Sequence, residues 1–113
     1  MSECKVDLAL EAIVGKWKHK ILFQMINNDK MRFNELKRSI PNITQKMLTS
    51  QLRELEYHDL IERKVYAQIP PKVEYSLSEH GKSLIPILHQ MSEWGEKHVE
   101  HIDSIYEEVD EQA

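Results

Sequence analysis

The sequence contains little of what marks secreted, membrane-spanning or disordered proteins. Its 113 residues include one cysteine, Cys4, so no disulfide can form within the chain. No apolar run approaches the roughly 18 residues that a membrane-spanning helix requires. Three glycines, four prolines and 41% hydrophobic residues exclude collagen-like and disordered chains. The first ten residues, MSECKVDLAL, lack the basic segment of a signal peptide. We therefore expect one soluble domain, residues 1–113, in the cytoplasm.

The motifs of common catalytic sites are also missing from the sequence. It has no glycine-rich phosphate loop, no Ser/His/Asp set and no paired catalytic carboxylates. His98 and His101 are spaced like two metal ligands on a helix, but the acids around them favour a solvated acidic face. We therefore expect no enzyme activity, no cofactor and no metal site.

The net charge of −4 hides an uneven distribution along the chain. From Gly15 to Tyr75, twelve basic residues stand against seven acidic ones, a net charge of +5. From Ser76 onward, nine acidic residues and two lysines give −7. Because basic segments attract nucleic acid, the middle of the chain is the candidate nucleic-acid-binding region despite the overall negative charge.

Hydrophobic spacing predicts that the first third of the chain is helical. Apolar residues recur at helical spacing in residues 6–13 and 17–26, and Gly15 separates the two helices. Alternation at residues 31–33 is compatible with a very short strand. A short helix follows, which ends near Pro41 because proline cannot continue a helix.

The rest of the chain predicts a helix, a hairpin and a final helix. Thr44 is the best N-cap for the first of these helices. Residues 61–65 and 73–77 have the pattern of two strands, joined by a loop that contains Pro70-Pro71. Ser78 is expected to cap a long last helix. The predicted fold is mainly α with a small β-hairpin wing, a winged helix-turn-helix.

The helix after Thr44 carries a polar stripe suited to a DNA groove. Its apolar residues, expected to face inward, are Met47, Leu48, Leu52 and Leu55. The predicted DNA-binding residues of this helix are Thr44, Gln45, Lys46, Thr49, Ser50 and Arg53. Arginine and lysine suit guanine edges or phosphates, glutamine suits adenine, and threonine and serine suit phosphate oxygens. A solvated helix face is the alternative, which the adjoining hairpin and the charge distribution disfavour.

The predicted hairpin adds a second polar and basic group. Its candidate DNA-binding residues are Arg63, Lys64, Gln68 and Lys72. A loop stiffened by proline would hold them near the DNA backbone or the minor groove. Val65, Val73 and Tyr75 are expected to close the core instead.

Several motifs in a fixed order resemble the HxlR-type family of winged helix-turn-helix regulators, which are MarR-like. They are Cys4-Lys5-Val6, Gly15-Lys16-Trp17-Lys18 with Ile21-Leu22, Arg32-Phe33-Asn34-Glu35-Leu36, Thr44-Gln45-Lys46-Met47-Leu48-Thr49, Leu52-Arg53-Glu54-Leu55-Glu56, Leu60-Ile61-Glu62-Arg63, Pro70-Pro71-Lys72-Val73-Glu74-Tyr75-Ser76-Leu77 and Gly81. The resemblance covers nearly the whole chain. It implies a recognition helix at residues 45–58, a wing at residues 65–75, and a homodimer formed through the first and last helices.

Within the single domain we place the helix-turn-helix at about residues 32–58, the wing at about 61–77, and dimerisation helices at about 6–14 and 79–106. The residues expected at the two-fold interface are Leu8, Ile13, Leu84, Leu88, Met91 and Trp94. Such a dimer would place two recognition helices in successive major grooves, about 34–36 Å apart, on a palindromic operator in double-stranded DNA. We expect a repressor.

Cys4 is the candidate sensor of redox or electrophile stress. Family members that sense quinones, aldehydes or disulfide stress use a cysteine near this position, and the resemblance extends that role to Cys4. Without a second cysteine, the remaining products are a Cys4–Cys4 bridge between subunits, a mixed disulfide or an alkylated thiol. An inert cysteine, control by a non-covalent small-molecule effector, and a protein-interaction module that does not bind DNA are the alternatives.

Overall fold

A computed structural model describes residues 4–112, with side chains described through Glu107; residues 1–3 and 113, at the ends of the predicted domain, lie outside the described residues. Within this range the chain forms six helices and one two-stranded sheet. They are α1 (Lys5–Ile13), α2 (Lys18–Asn27), α3 (Phe33–Ser39), α4 (Gln45–Tyr57), β1 (Ile61–Tyr66), β2 (Lys72–Leu77), α5 (Glu79–Lys82) and α6 (Ile85–Gln112). The predicted fold class, mainly α with a hairpin, is confirmed. The chain divides into two compact units, one ending at Lys82 and one starting at Ser83.

The core of the first unit is built from the apolar faces of α2, α3 and α4. Its fully buried large side chains are Ile21, Leu22, Leu36, Leu48, Leu52 and Leu55. On α4, the three leucines follow one another after four and three residues, which places them on one side of the helix. Burying each such side chain stabilises the fold by about 1.5–3 kcal/mol. The inner face of α4 is therefore fixed by packing.

Local chemistry determines where α4 begins and ends. The backbone N–H of Met47 donates a hydrogen bond of 3.1 Å to Oγ1 of Thr44, so the predicted N-cap is confirmed. Asn42 before the helix and Asp59 after it adopt positive φ angles of 69° and 54°. These are two of the residue types that tolerate the left-handed region best. Asn42 thus allows the turn from α3 into α4, and Asp59 allows the turn that follows α4.

The hairpin pairs β1 and β2 antiparallel, from Ile61 opposite Leu77 to Tyr66 opposite Lys72. A single bridge joins Met31 to Tyr75, through hydrogen bonds of 2.9 and 2.8 Å between their backbone groups. The very short strand considered for residues 31–33 is therefore reduced to one residue, because Phe33 already begins α3. This bridge fixes the hairpin against the start of the helix-turn-helix.

The predicted cap of the last long helix is wrong. Ser78 Oγ accepts a hydrogen bond of 2.8 Å from the backbone N–H of Gly81, which starts the one-turn helix α5 rather than α6. A side-chain carbon at Gly81 would overlap the backbone carbonyl of Leu60, so this close approach requires glycine. α6 begins separately at Ile85, with Pro86 in its first turn, where proline needs no hydrogen-bond partner. The dimerisation helix expected at 79–106 is two helices.

The second unit contains the 28-residue helix α6. Leu88 is buried, but most large apolar side chains along the helix are exposed. The exposed ones are Ile87, Met91, Trp94, Val99, Ile105 and Tyr106. The ring of Trp94 stacks on the imidazole of His98, with centroids 4.7 Å apart. α6 thus carries the predicted apolar stripe, largely uncovered in the single chain.

Candidate DNA-binding surface

The polar residues predicted on α4 lie together on its outer side, which we call the groove face. They line an open depression of about 640 Å³, and they are Gln45, Lys46, Thr49, Ser50 and Arg53, together with Glu54. Thr44, also predicted to bind DNA, is exposed immediately before them and its oxygen is engaged in capping. The spacing therefore brings the predicted α4 residues to one surface.

The hydroxyl of Thr49 is already used within the helix. Its Oγ1 donates a hydrogen bond of 2.8 Å to the backbone carbonyl of Gln45. The hydroxyl proton is then occupied, so the oxygen can only accept and cannot donate to a phosphate oxygen. In this conformation Thr49 offers a methyl group and an acceptor to the groove, which suits base edges better than the backbone role expected from sequence.

Met47 does not face inward as predicted. Its side chain is 42% exposed, whereas Leu48 beside it is fully buried. One residue turns an α-helix by about 100°, which carries Met47 away from the line of buried leucines. The buried stripe of α4 is therefore narrower than the sequence predicted. Met47 is an apolar side chain on the exposed part of the helix.

A second depression, of about 420 Å³, lies between α4 and the hairpin. Thr49, Arg53 and Glu56 line it from α4, and Arg63 lines it from β1. Arg63 lies on this side because its cross-strand partner is Tyr75, whose buried ring faces the core. Two guanidinium groups therefore line the same cleft, which offers bidentate donors to an anion or a base edge.

The predicted basic group of the hairpin is divided between its two faces. Side chains alternate along a strand, so Lys64 points away from the side that carries Arg63. Lys64 and Lys72 both lie over the ring of Tyr66, each with its ammonium nitrogen 4.9 Å from the ring centroid. Gln68 belongs to neither face, since it lies in the exposed loop between the strands.

A polar cluster holds this outer face of the hairpin together. The Tyr66 hydroxyl donates a hydrogen bond to Glu74, which raises the pKa of Tyr66 above its ordinary value of 10.0. The same bond lowers the pKa of Glu74, and the charges of Lys72, Lys30 and Arg32 lower it further. Lys30 and Arg32 flank the bridging Met31, which explains how they reach the hairpin.

Val65 was expected in the core, but it is 54% exposed. Its cross-strand partner Val73 is half-buried, whereas Tyr75 and Ile61, which lie further from the loop on the same face, are buried. The pair of Val65 and Val73 therefore lies at the edge of the core. The expectation that Val65 is buried is wrong.

Sequence reasoning missed an ion pair behind the groove face. Nζ of Lys18 lies 3.1 Å from Oε2 of Glu54, and the Lys18 side chain is only 9% exposed. Lys18 precedes Ile21, Leu22 and Met25 at the spacing of one helix face, so it occupies a position on the buried stripe of α2. A charged residue on an apolar stripe was the available signal, because such a residue needs a partner. Here the partner comes from α4.

A family model identifies the family to which the fold points. The model for the HxlR-like helix-turn-helix matches residues 12–103. This chain belongs to the HxlR-like family. It is a transcriptional regulator of the helix-turn-helix type, and the hairpin of this family member is the wing of a winged helix.

Named relatives agree with this assignment. The uncharacterized HTH-type transcriptional regulator YdeP of Bacillus subtilis is 51% identical over 102 residues, which cover 90% of this chain and 79% of YdeP. The reduced form of the redox regulator HypR is 51% identical with a TM-score of 0.83, over 89% of this chain and 99% of HypR. A MarR-family regulator from Enterococcus faecalis is 35% identical with a TM-score of 0.79, over 88% and 90%. The MarR-like character is therefore confirmed.

The remaining sequence candidates lie away from the groove face. Cys4 is exposed and stands immediately before α1. In the part of the chain that the structure describes, no three His, Cys, Asp or Glu side chains come together as metal ligands. Over the same residues, no helix combines the length and apolar character needed to cross a membrane.

Proposed function

We propose that this HxlR-like regulator is a sequence-specific, homodimeric DNA-binding repressor that reads a palindromic operator with the groove face of α4. One observation carries the proposal: α4 is anchored by fully buried leucines while its opposite side presents five polar or basic side chains to solvent. A helix fixed in this way can enter the major groove of B-DNA, which is about 12 Å wide. The groove face then reads base edges with a rigid support behind it.

The wing contributes contacts of two kinds. Arg63, beside Arg53 in the cleft between α4 and the hairpin, lies close enough to the groove face to act with it. We propose that Lys64 and Lys72, on the outer face of the hairpin, contact phosphates, together with Lys30 and Arg32 beside Met31. Contacts to phosphates position a protein on the duplex, whereas contacts to bases specify the sequence.

The uncovered apolar side chains of α1 and α6 support the homodimer. On α1, Val6, Leu8 and Leu10 are exposed, and α6 exposes six large apolar side chains. Exposed apolar surfaces of this extent mark interaction sites. A second copy covering them would set the two α4 helices about one helical turn of DNA apart, roughly 34–36 Å.

Selection of bound duplexes from a random pool tests the proposal. We expect a palindrome whose half-sites are centred about 10 base pairs apart, the spacing that two recognition helices impose. Affinity for it should fall steeply with salt, since phosphate contacts release counterions. In a transcription assay, the protein should lower transcript yield from a promoter that overlaps the palindrome. A chain that enriches no sequence and binds a folded protein partner instead would be a protein-interaction module.

Substitution of Arg53 distinguishes a contact that reads a base from one that only attracts the phosphate charge. Arg53→Ala should cost about 1–3 kcal/mol of binding free energy on the selected sequence and less on unrelated DNA. Lys97→Ala on α6 is the matched control, because it removes one positive charge outside the proposed surface. An equal loss on all sequences would make Arg53 a phosphate contact.

Redox control through Cys4 is the second part of the proposal, and the similarity to the redox regulator HypR favours it. Two Cys4 thiols from two subunits would form one disulfide, passing two electrons and two protons to an oxidant such as diamide. We expect the modified dimer to release its operator and Cys4→Ser to remain bound. Mass spectrometry together with DNA titration decides. Full modification with unchanged affinity would reject the switch, and a Cys4→Ser variant that still responds to an inducer would indicate a non-covalent ligand.

A further inference from the structure

A third depression, of about 430 Å³, lies where α1 and α2 meet the end of α4. It is lined by Glu11 of α1, Lys18 of α2, and Arg53, Glu54, Tyr57 and His58 of α4 and its C-cap. Its volume falls within the range of small-molecule sites, about 300–1,000 Å³. Most of these residues have no role in the proposed DNA contacts, so the depression is a candidate site for a second ligand.

The charged groups around this depression are balanced. Lys18 and Arg53 supply two positive charges, and Glu11 and Glu54 supply two negative ones. The Lys18 side chain is only 9% exposed and its ammonium lies 3.1 Å from Glu54, which makes it a fixed charge in the wall of the depression. A ligand with a charge of one sign would be repelled by one of the two pairs. A zwitterion can satisfy both pairs.

The donors and acceptors suit the two charged groups of an amino acid. A lysine ammonium has three donors, so Lys18 can bind Glu54 and a ligand carboxylate together. The guanidinium of Arg53 can hold the same carboxylate through two parallel hydrogen bonds. Carboxylates only accept, and those of Glu11 and Glu54 therefore match a ligand ammonium group.

An aromatic ring stands beside these charges. The Tyr57 side chain is 86% exposed, and its ring meets the imidazole of His58 edge-on, with centroids 5.5 Å apart. An uncovered ring of this kind offers an apolar wall with a polar end. The ligand that fits both the charges and the ring is an amino acid with an apolar or aromatic side chain.

Arg53 connects this depression to the DNA-binding surface. Its exposed side chain lines the depression of the groove face, the cleft beside the hairpin and the depression next to α1. One guanidinium cannot serve a base or phosphate and a ligand carboxylate with the same donors. A ligand beside α1 would therefore compete directly for a proposed operator contact.

We propose that a free amino acid with an apolar or aromatic side chain binds between α1 and α4 and weakens operator binding. Lys18 and Arg53 bind its carboxylate. Glu11 and Glu54 accept hydrogen bonds from its ammonium group, and Tyr57 contacts its side chain. Because amino acid and operator both require Arg53, each lowers the affinity of the other by the same factor. This inference rests on the proposed DNA-binding function.

Calorimetric titration of the full chain with each of the standard amino acids tests the site. We expect binding by one or a few with apolar or aromatic side chains. Their N-acetyl and decarboxylated analogues, which each lack one of the two charges, should bind at least about tenfold more weakly. A saturating amino acid should raise the operator dissociation constant roughly 5- to 150-fold. Cys4→Ser should respond in the same way, because Cys4 does not line the depression.

Glu11→Gln removes one acceptor for the ligand ammonium group and should weaken amino acid binding about tenfold. Glu100→Gln, exposed on α6, is the matched control and should bind the amino acid as wild type does. If no standard amino acid binds, or if Glu11→Gln or the N-acetyl analogue binds as tightly as the original pair, the site is wrong while the groove-face proposal stands. Amino acid binding that leaves operator affinity unchanged would overturn the competition for Arg53. A wild-type chain that binds no duplex would overturn the proposed function itself, and the calorimetric titrations would still decide the site.

Discussion

α4 and α6 are both amphipathic, yet they use their apolar faces differently. α4 buries Leu48, Leu52 and Leu55 completely within its own unit. α6 is about twice as long, and along it Met91 and Trp94 remain more than half exposed. The apolar side chains of α4 are thus buried by the chain itself, whereas most of those on α6 are exposed in the single chain. The proposed function requires both, because a homodimer would carry two rigid α4 helices to the two halves of a palindrome.

The largest loss of stability should come from truncating a leucine on the buried face of α4. Leu48→Ala leaves a cavity under the groove face, and we expect the free energy of unfolding to fall by about 2–5 kcal/mol. Urea denaturation followed by circular dichroism measures the loss. Met47→Ala, on the same helix but 42% exposed, should cost less than about 1 kcal/mol. Equal losses for the two variants would mean that α4 is not anchored as described.

On α6 the same kind of truncation should affect association rather than folding. Trp94, 65% exposed in the single chain, is the largest apolar side chain available to a second copy. Trp94→Ala should raise the dimer dissociation constant roughly 10- to 100-fold. Sedimentation velocity over a concentration series measures it. Glu96→Ala is the control, since two residues turn the helix by about 200° and place Glu96 on the other side. An unchanged dimer would remove α6 from the interface.

The contrast between the two helices also shows what the sequence could predict. Hydrophobic spacing located the helices and the hairpin, and a single threonine predicted the start of α4, because these are local properties. The spacing on α6 predicted a helix but not whether its stripe is buried, since burial depends on which surface covers it. The burial of Met47 was predicted wrongly for a related reason. How wide the buried stripe of a helix is depends on the elements that pack against it, not on the helix alone.

The site was predicted less completely than the fold. Alternation along β1 already separates Arg63 from Lys64, but which side faces α4 follows from tertiary packing, which buries Tyr75 opposite Arg63. The short helix α5 contains the close approach of Gly81 to Leu60, a tertiary contact that helical spacing alone does not reveal. The polar stripe on α4 was predictable because one helix carries all of it.

The ion pair of Lys18 with Glu54 gives a test of how α4 is held in which the expected loss of stability is smaller. Glu54→Gln leaves the nearly buried ammonium of Lys18 without its carboxylate, and we expect a loss of about 1–2 kcal/mol in the free energy of unfolding. Lys18→Met removes the buried charge itself and should cost less. Chemical denaturation of both variants and of the double variant measures the coupling. A larger loss for Lys18→Met would mean that its packing, not its charge, supports α4.

The hairpin differs from both helices because, beyond its buried residues, polar contacts hold its two strands together. The pKa of Glu74 is lowered on folding from its ordinary value of 4.5, so the ionised carboxylate stabilises the folded state above that pH. This stabilisation is lost as pH falls through the lower folded value. Glu74→Gln should therefore unfold at lower urea than wild type at pH 7, and the difference should shrink as the pH falls below the ordinary value of 4.5. A Glu74→Gln deficit that persists in acid would assign the effect to shape rather than charge.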